Sequence, residues 1–308
     1  SQCLPYFKKA ADRGMVISMI DYANICYDME RAKNGKKVAA KYYKMAADRG
    51  SITSMVKYAE MLSKGTDITA NKKEAAKYYK MGADRGDIQS IFSIGIMLYK
   101  GDGIKMDKEK AAVYFKKSAD LGHLDSVYNY ALMNFKGDGI PKNHKVALKY
   151  FAVASGQSHA ESMHHLALLY YEENDKEKAA RYHKKAADKD IVKSMALYSQ
   201  MCMSGDGIKV NKKEGVKYLK MAADKGDVSS LFIYGLRLYS GTDVKIDKEK
   251  ASLYFKMAAD KGHVESMYNY GIMNYNSDGI PRNDEVAYEY LMKATEKDHP
   301  EATYNIAM

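Results

Sequence analysis

Between Asn71 and Ile104 the apolar positions follow a helical period twice in succession. Ala75, Tyr78, Tyr79 and Ala83 make one apolar stripe, and Lys73, Lys77 and Lys80 lie off it. Asn71 stands before the run as a cap that can accept from first-turn N–H groups. Glu74, three residues on, can reach back to it, so a helix should start near Lys72. Gly86 ends that helix. From Ile88 a second period passes through Ile91, Ile94, Gly95, Leu98 and Tyr99 to Gly101-Asp102-Gly103, where two glycines permit left-handed backbone. The stretch predicts an antiparallel helix pair closed by a turn.

The rest of the chain repeats this pair. Ala11-Asp12-Arg13-Gly14 returns at Ala47-Asp48, Ala83-Asp84 and Ala119-Asp120, each 36 residues on, and in weakened form at Ser155-Gly156. The next step, to Ala187-Asp188, is only 32 residues because the connection around Glu172, Glu173, Asn174 and Asp175 lacks the Gly-Asp-Gly-Ile turn. Ala223-Asp224, Ala259-Asp260 and Thr295-Glu296 restore the longer step, which makes nine first helices. A shift of 140 residues lays Asn71–Asn143 onto Asn211–Asn283 with 42 of 73 positions identical, so a four-repeat block, about 11–150 and 151–290, reads as duplicated. The expectation is one array over 1–308 with both ends cut inside a repeat, at Ser1 and at Met308. Such ends would favour self-association or a longer parent protein.

Composition narrows the class. Four prolines, no tryptophan and no alternating apolar pattern point to an all-α protein, and stacking explains how 308 residues are ordered without one large core. No stretch approaches the ~18 apolar residues of a membrane helix. Cys3, Cys26 and Cys202 have neither paired nor metal-type spacing, which suits a reducing compartment and makes the cytoplasm the expected location. A net charge of +10 biases the chain towards acidic partners.

Lys73-Glu-Ala-Ala-Lys-Tyr-Tyr-Lys-Met81, Ala83-Asp84-Arg85-Gly86, Ser90, Gly95, Tyr99 and Gly101-x-Gly103-Ile104 resemble the Sel1-like repeat, a relative of the tetratricopeptide repeat. The resemblance implies a right-handed α-α superhelix of eight to nine helix pairs, with first helices towards the concave wall, serving as an adaptor for protein complexes. Disulfide-stapled secreted members of that family repeat their cysteines. Here Cys26 and Cys202 share a register with Leu62, Leu98 and Leu238 and read as core residues.

Candidate chemistry is sparse. Ala59, Gly95, Ala131, Ala167, Ser199, Gly235 and Gly271 fall where helices must approach closely, and Tyr99, Phe135, Tyr171, Tyr239 and Tyr275 read as filling between repeats. Lys8, Lys44, Lys80, Lys116, Lys184, Lys220 and Lys256 form a ladder of one lysine per first helix, widened three residues earlier by Lys41, Lys77, Lys149, Arg181 and Lys217. Asp84 and its equivalents are expected to cap the following helix across the Gly86 turn. His159, His164, His165 and His183 gather near the weakened fifth repeat without a zinc spacing, and no nucleophile or phosphate-loop signature is present, so neither cofactor, metal nor enzyme activity is expected. The leading expectation is a non-catalytic scaffold that holds a protein or an extended, acidic peptide on the first-helix surface. Its contacts would be Tyr42, Lys44, Lys77, Tyr78, Lys80, Lys116, Lys217, Tyr218, Lys220 and Lys256, assisted by Asn129 and Asn269. Binding of nucleic acid or anionic lipid along the lysine stripe is the alternative, weakened by the shortage of arginine and of any base-reading code.

Overall fold

The computed structural model describes residues 3–28, 34–65 and 68–307, so Ser1 and Met308, where the cut ends were placed, lie outside the described residues. The chain divides into two compact units, Ser1–Gln157 and Ser158–Met308. In the first, the helices are α1 Leu4–Asp12, α2 Val16–Asp28, α3 Gly35–Asp48, α4 Ile52–Lys64, α5 Lys72–Asp84, α6 Ile88–Lys100, α7 Lys108–Asp120, α8 Leu124–Lys136 and α9 His144–Gly156. In the second they are α10 Ala160–Glu172, α11 Lys176–Ala187, α12 Val192–Ser204, α13 Lys212–Asp224, α14 Val228–Ser240, α15 Lys248–Asp260, α16 Val264–Asn276, α17 Asp284–Thr295 and α18 Pro300–Ala307. Among the described residues there is no strand. The predicted limits of α5 and α6 match the observed ones.

Caps work largely as their residue types suggest, with one change. Asn71 Oδ1 accepts from the Glu74 N–H at 3.0 Å. Glu74, however, accepts from the Asn71 side-chain amide at 3.2 Å, because the Asn71 backbone N–H is already bonded to the Leu62 carbonyl. Asn211 repeats the arrangement, with its N–H on the Cys202 carbonyl. α5 and α13 are thereby tied to the second helix before them as well as capped.

The second glycine of the turn has a stricter task. Gly103 has φ +75°, and a Cβ there would lie 2.5 Å from the carbonyl carbon and oxygen of Lys72. In the second unit Gly207 meets Lys176 in the same way. The turn therefore folds onto the start of its own first helix, and only glycine clears it. The aspartate between the glycines then receives the lysine of that helix start: Lys108 reaches Asp138 at 2.6 Å and Lys176 reaches Asp206 at 2.7 Å.

The core of each unit is alanine on the first helices and aromatic rings between repeats. A second-helix tyrosine meets the next first-helix tyrosine edge to face at 4.7–4.9 Å: Tyr22 on Tyr42, Tyr58 on Tyr78 and Tyr130 on Tyr150 in the first unit. The second unit repeats this with Tyr198 on Tyr218, Tyr234 on Tyr254 and Tyr270 on Tyr290. Such pairs add roughly 0.5–1.5 kcal/mol each beyond the area they bury. Gly95 and Gly235 keep the helices close, since a Cβ at either would lie 2.8 Å from the Phe115 or Phe255 ring. Cys26 and Cys202 are buried as expected. Tyr99, Tyr171 and Tyr239 do more than fill space, because their hydroxyls donate to Asp138, Asp206 and Asp278 of the next turn.

Candidate binding surface on the first helices

The last helical residue of most first helices is an aspartate, and its surroundings correct the capping expectation. Second helices are capped by other residues: Ser51, Asp87, His123, His159, Asp227 and His263. The helix-end aspartates turn instead to the next first helix, where a tyrosine 30 residues on donates its hydroxyl. Tyr42 reaches Asp12 at 2.5 Å, Tyr78 reaches Asp48 at 2.6 Å and Tyr150 reaches Asp120 at 2.9 Å. In the second unit Tyr218 donates to Asp188, Tyr254 to Asp224 at 2.7 Å and Tyr290 to Asp260 at 2.5 Å. The carboxylate sits at a helix C-terminus, where the dipole disfavours it. A phenol and an ammonium group offset that.

The ammonium comes from the lysine ladder. Lys8, Lys80, Lys116, Lys220 and Lys256 each pair with the aspartate four residues later, at 2.6–3.2 Å. Lys44 goes to Glu74 at 3.0 Å, and Lys184 to Glu214. Every ladder lysine thus has a carboxylate. The Tyr42 hydroxyl and then Lys8 hold Asp12 below the usual carboxylate range; for Asp120, Lys116 is the larger cause. Burial, followed by the Asp260 bond, raises the Tyr290 phenol to about 12. Tyr42, Tyr78 and Tyr218 are buried, so each shows a partner little beyond the bonded hydroxyl.

Free positive charge lies one turn earlier. Lys41, Lys77, Lys149 and Lys217 are exposed, and each lies over the ring of the tyrosine after it at 5.4–5.7 Å. Arg181 occupies the same register and is exposed. Beside this row runs an open slot, bounded by a first helix, by the tyrosine of its second helix and by the isoleucine of the following turn. In the first unit the slot holds about 370 Å³, with Val113, Tyr130, Ile140 and Pro141 in its wall. In the second it holds about 550 Å³ at Arg181, Lys184, Tyr198 and Ile208. Volumes of this order accept a side chain or a short peptide stretch.

The two asparagines stand apart from this surface. Asn129 is half-buried and folds back on its own helix, donating to the Asp125 carbonyl at 2.7 Å; Asn269 is half-buried on α16. The histidines also take separate roles. His159 caps α10, and His165 bonds the Glu161 carbonyl. His164 and His183 are buried and share the Ser194 hydroxyl at 2.8 and 3.2 Å. Among the described residues no group of three or more His, Cys, Asp or Glu side chains is placed to hold a metal.

A family model described as Sel1 repeat matches residues 1–15, 17–51, 52–87, 88–123, 124–159, 160–191 and 192–227. The chain belongs to the Sel1 repeat family. A second model, for plant tetratricopeptide repeats, matches residues 243–308 of this Sel1 repeat chain. No curated protein matches it. Among solved structures it is similar to a protective antigen of uropathogenic Escherichia coli, with a TM-score of 0.85 and 20% identity over 98% of this chain and 66% of that one. It is likewise similar to a Sel1 repeat protein from Oxalobacter formigenes, with a TM-score of 0.81 and 22% identity over 98% of this chain and 89% of that one. These likenesses show an α-solenoid of about nine helix-pair repeats. Sel1 repeat and related tetratricopeptide proteins mediate protein–protein interactions and are typically non-catalytic scaffolds. No helix among the described residues is long and apolar enough to cross a membrane.

Proposed function

We propose that the chain is a non-catalytic scaffold that holds a protein partner, as an extended segment, in the slots along its first helices. The observation that carries the reading is the recurrence of one slot with the same tyrosine and isoleucine walls in both units, lined by Lys116 and Lys142 in the first and by Arg181 and Lys184 in the second. A preformed slot binds a flexible segment without paying to order itself. The alternative, a continuous basic stripe for nucleic acid or lipid, is weakened by the ladder, whose lysines are all paired with carboxylates. What remains is spaced charge separated by apolar walls, which suits a peptide better than a uniform phosphate backbone.

A photo-cross-linking amino acid in place of Val113, in the slot, or of Ile233, on a second helix, tests this in a lysate of the source cells. Cross-linking of a discrete protein from position 113 alone, lost when Lys77→Glu and Lys217→Glu are added, is the expected result. Equal labelling from position 233, or loss of all labelling on nuclease treatment, would move the site or the partner class.

A further inference from the structure

The row of free cations is not uniform, and its interruptions recur. On successive first helices it reads Lys41, Lys77, Val113, Lys149 in the first unit and Arg181, Lys217, Leu253, Glu289 in the second. Positions 77 and 113 correspond to 217 and 253 through the 140-residue shift, so both units carry a cationic step followed by an aliphatic one. Val113 is 67% exposed and Leu253 56%, so each presents its aliphatic side chain to a partner.

Each step is reinforced one turn earlier on its own helix. Lys73 and Lys213, both exposed, strengthen the cationic steps, whereas Glu109 and Glu249, also exposed, stand beside the aliphatic ones. An acidic side chain is therefore attracted at the first step; at the second, Glu109 shares the slot with Lys116 and Lys142, so the aliphatic wall rather than charge selects there. The slot beside Val113, walled by Tyr130, Ile140 and Pro141, offers apolar surface to the second side chain. Tyr270, Ile280 and Pro281 hold the same register beside Leu253.

Resting on the scaffold reading above, we infer that each unit recognises a linear protein segment carrying an acidic side chain and an aliphatic one about three residues apart. The acid meets Lys77 or Lys217, and the aliphatic group meets Val113 or Leu253. The spacing follows from geometry: Tyr254 of α15 donates to Asp224 of α13, so successive first helices lie side by side, about 10 Å apart, and an extended chain rises about 3.3 Å per residue. Two motifs bind per chain, so a partner that carries the motif twice gains avidity.

The test is titration of the full chain with capped twelve-residue peptides in a Gly/Ser background. One contains Glu-x-x-Leu, and the controls contain Lys-x-x-Leu, Glu-x-x-Ser, or Glu and Leu nine residues apart. The expected result is binding of Glu-x-x-Leu about tenfold tighter than any control, at two peptides per chain. Stoichiometry should fall to one when Lys77→Glu and Val113→Glu are combined, both being surface changes whose folding circular dichroism verifies. Equal binding of all four peptides overturns the motif and leaves the scaffold reading standing. Failure of every peptide also overturns it, and the Val113 cross-link then decides separately whether the scaffold reading falls too. Tight binding of single-stranded RNA, abolished by Lys77→Glu, would assign the row to nucleic acid and end the proposal.

Discussion

His164 and His183 face each other at 5.6 Å, where other repeats place aromatic rings: Phe92 with Phe115 and Phe232 with Phe255, each at 6.0 Å. Burial, followed by the charge of a neighbouring histidine, pushes both imidazoles down to about 4. A depressed histidine value means that the unfolded chain takes up protons first as the pH falls. The contribution is complete above about 6.5 and is lost as the pH falls from there through 4. Between pH 7 and pH 5 the chain should lose on the order of 2 kcal/mol of stability for each of the two histidines, read as a lower urea midpoint. Combining His164→Phe with His183→Phe, which copies the Phe92–Phe115 arrangement, should remove most of that pH dependence. A second residue-scale prediction concerns the tyrosine–aspartate bond. Tyr78→Phe keeps the ring packed on Tyr58 and removes the bond to Asp48, so it should destabilise by about 1 kcal/mol, checked by denaturant titration. That bond was open to reading from the sequence, since a tyrosine recurs 30 residues after each helix-end aspartate. Helix capping alone points those aspartates elsewhere.

At the scale of the elements, the turn and its two kinds of glycine separate local from tertiary demands. Gly86 has φ +84° and nothing within 4 Å of an added Cβ, so Gly86→Ala carries only the left-handed strain, about 1 kcal/mol. Gly103→Ala carries that strain and a collision with the Lys72 backbone, so it should destabilise by at least about 2 kcal/mol more. The difference between the two midpoints is the measurement. Both glycines mark turns in the sequence, but only the packed structure shows that one of them presses on the helix start 31 residues before it. Thr242-Asp243 shows how the device can be rearranged. Asp243 takes the left-handed position itself, at φ 62°, and receives Lys212 at 3.1 Å and Arg237 at 2.6 Å.

At the scale of the molecule, substantial contacts within each unit run between helices that follow each other in the chain, as expected of a stacked array. Damage should therefore stay local. Amide exchange in Gly103→Ala should accelerate in α5, α6 and α7 and remain unchanged in α15, and uniform acceleration would show that the repeats open together. Helix limits, turns, the 36-residue step and the apolar stripes were determined by the sequence alone, because caps, glycine and helical periodicity act over a few residues. Which charges meet across repeats was decided by the tertiary structure. Five of the ladder lysines meet an aspartate one turn on in their own helix, a spacing already present in the sequence, whereas Lys77 and Lys217 have Met81 and Met221 there. Only stacking brings Glu74 to Lys44, Glu214 to Lys184 and a tyrosine to Asp12, Asp48, Asp120, Asp188, Asp224 and Asp260, and only stacking forms the open slots.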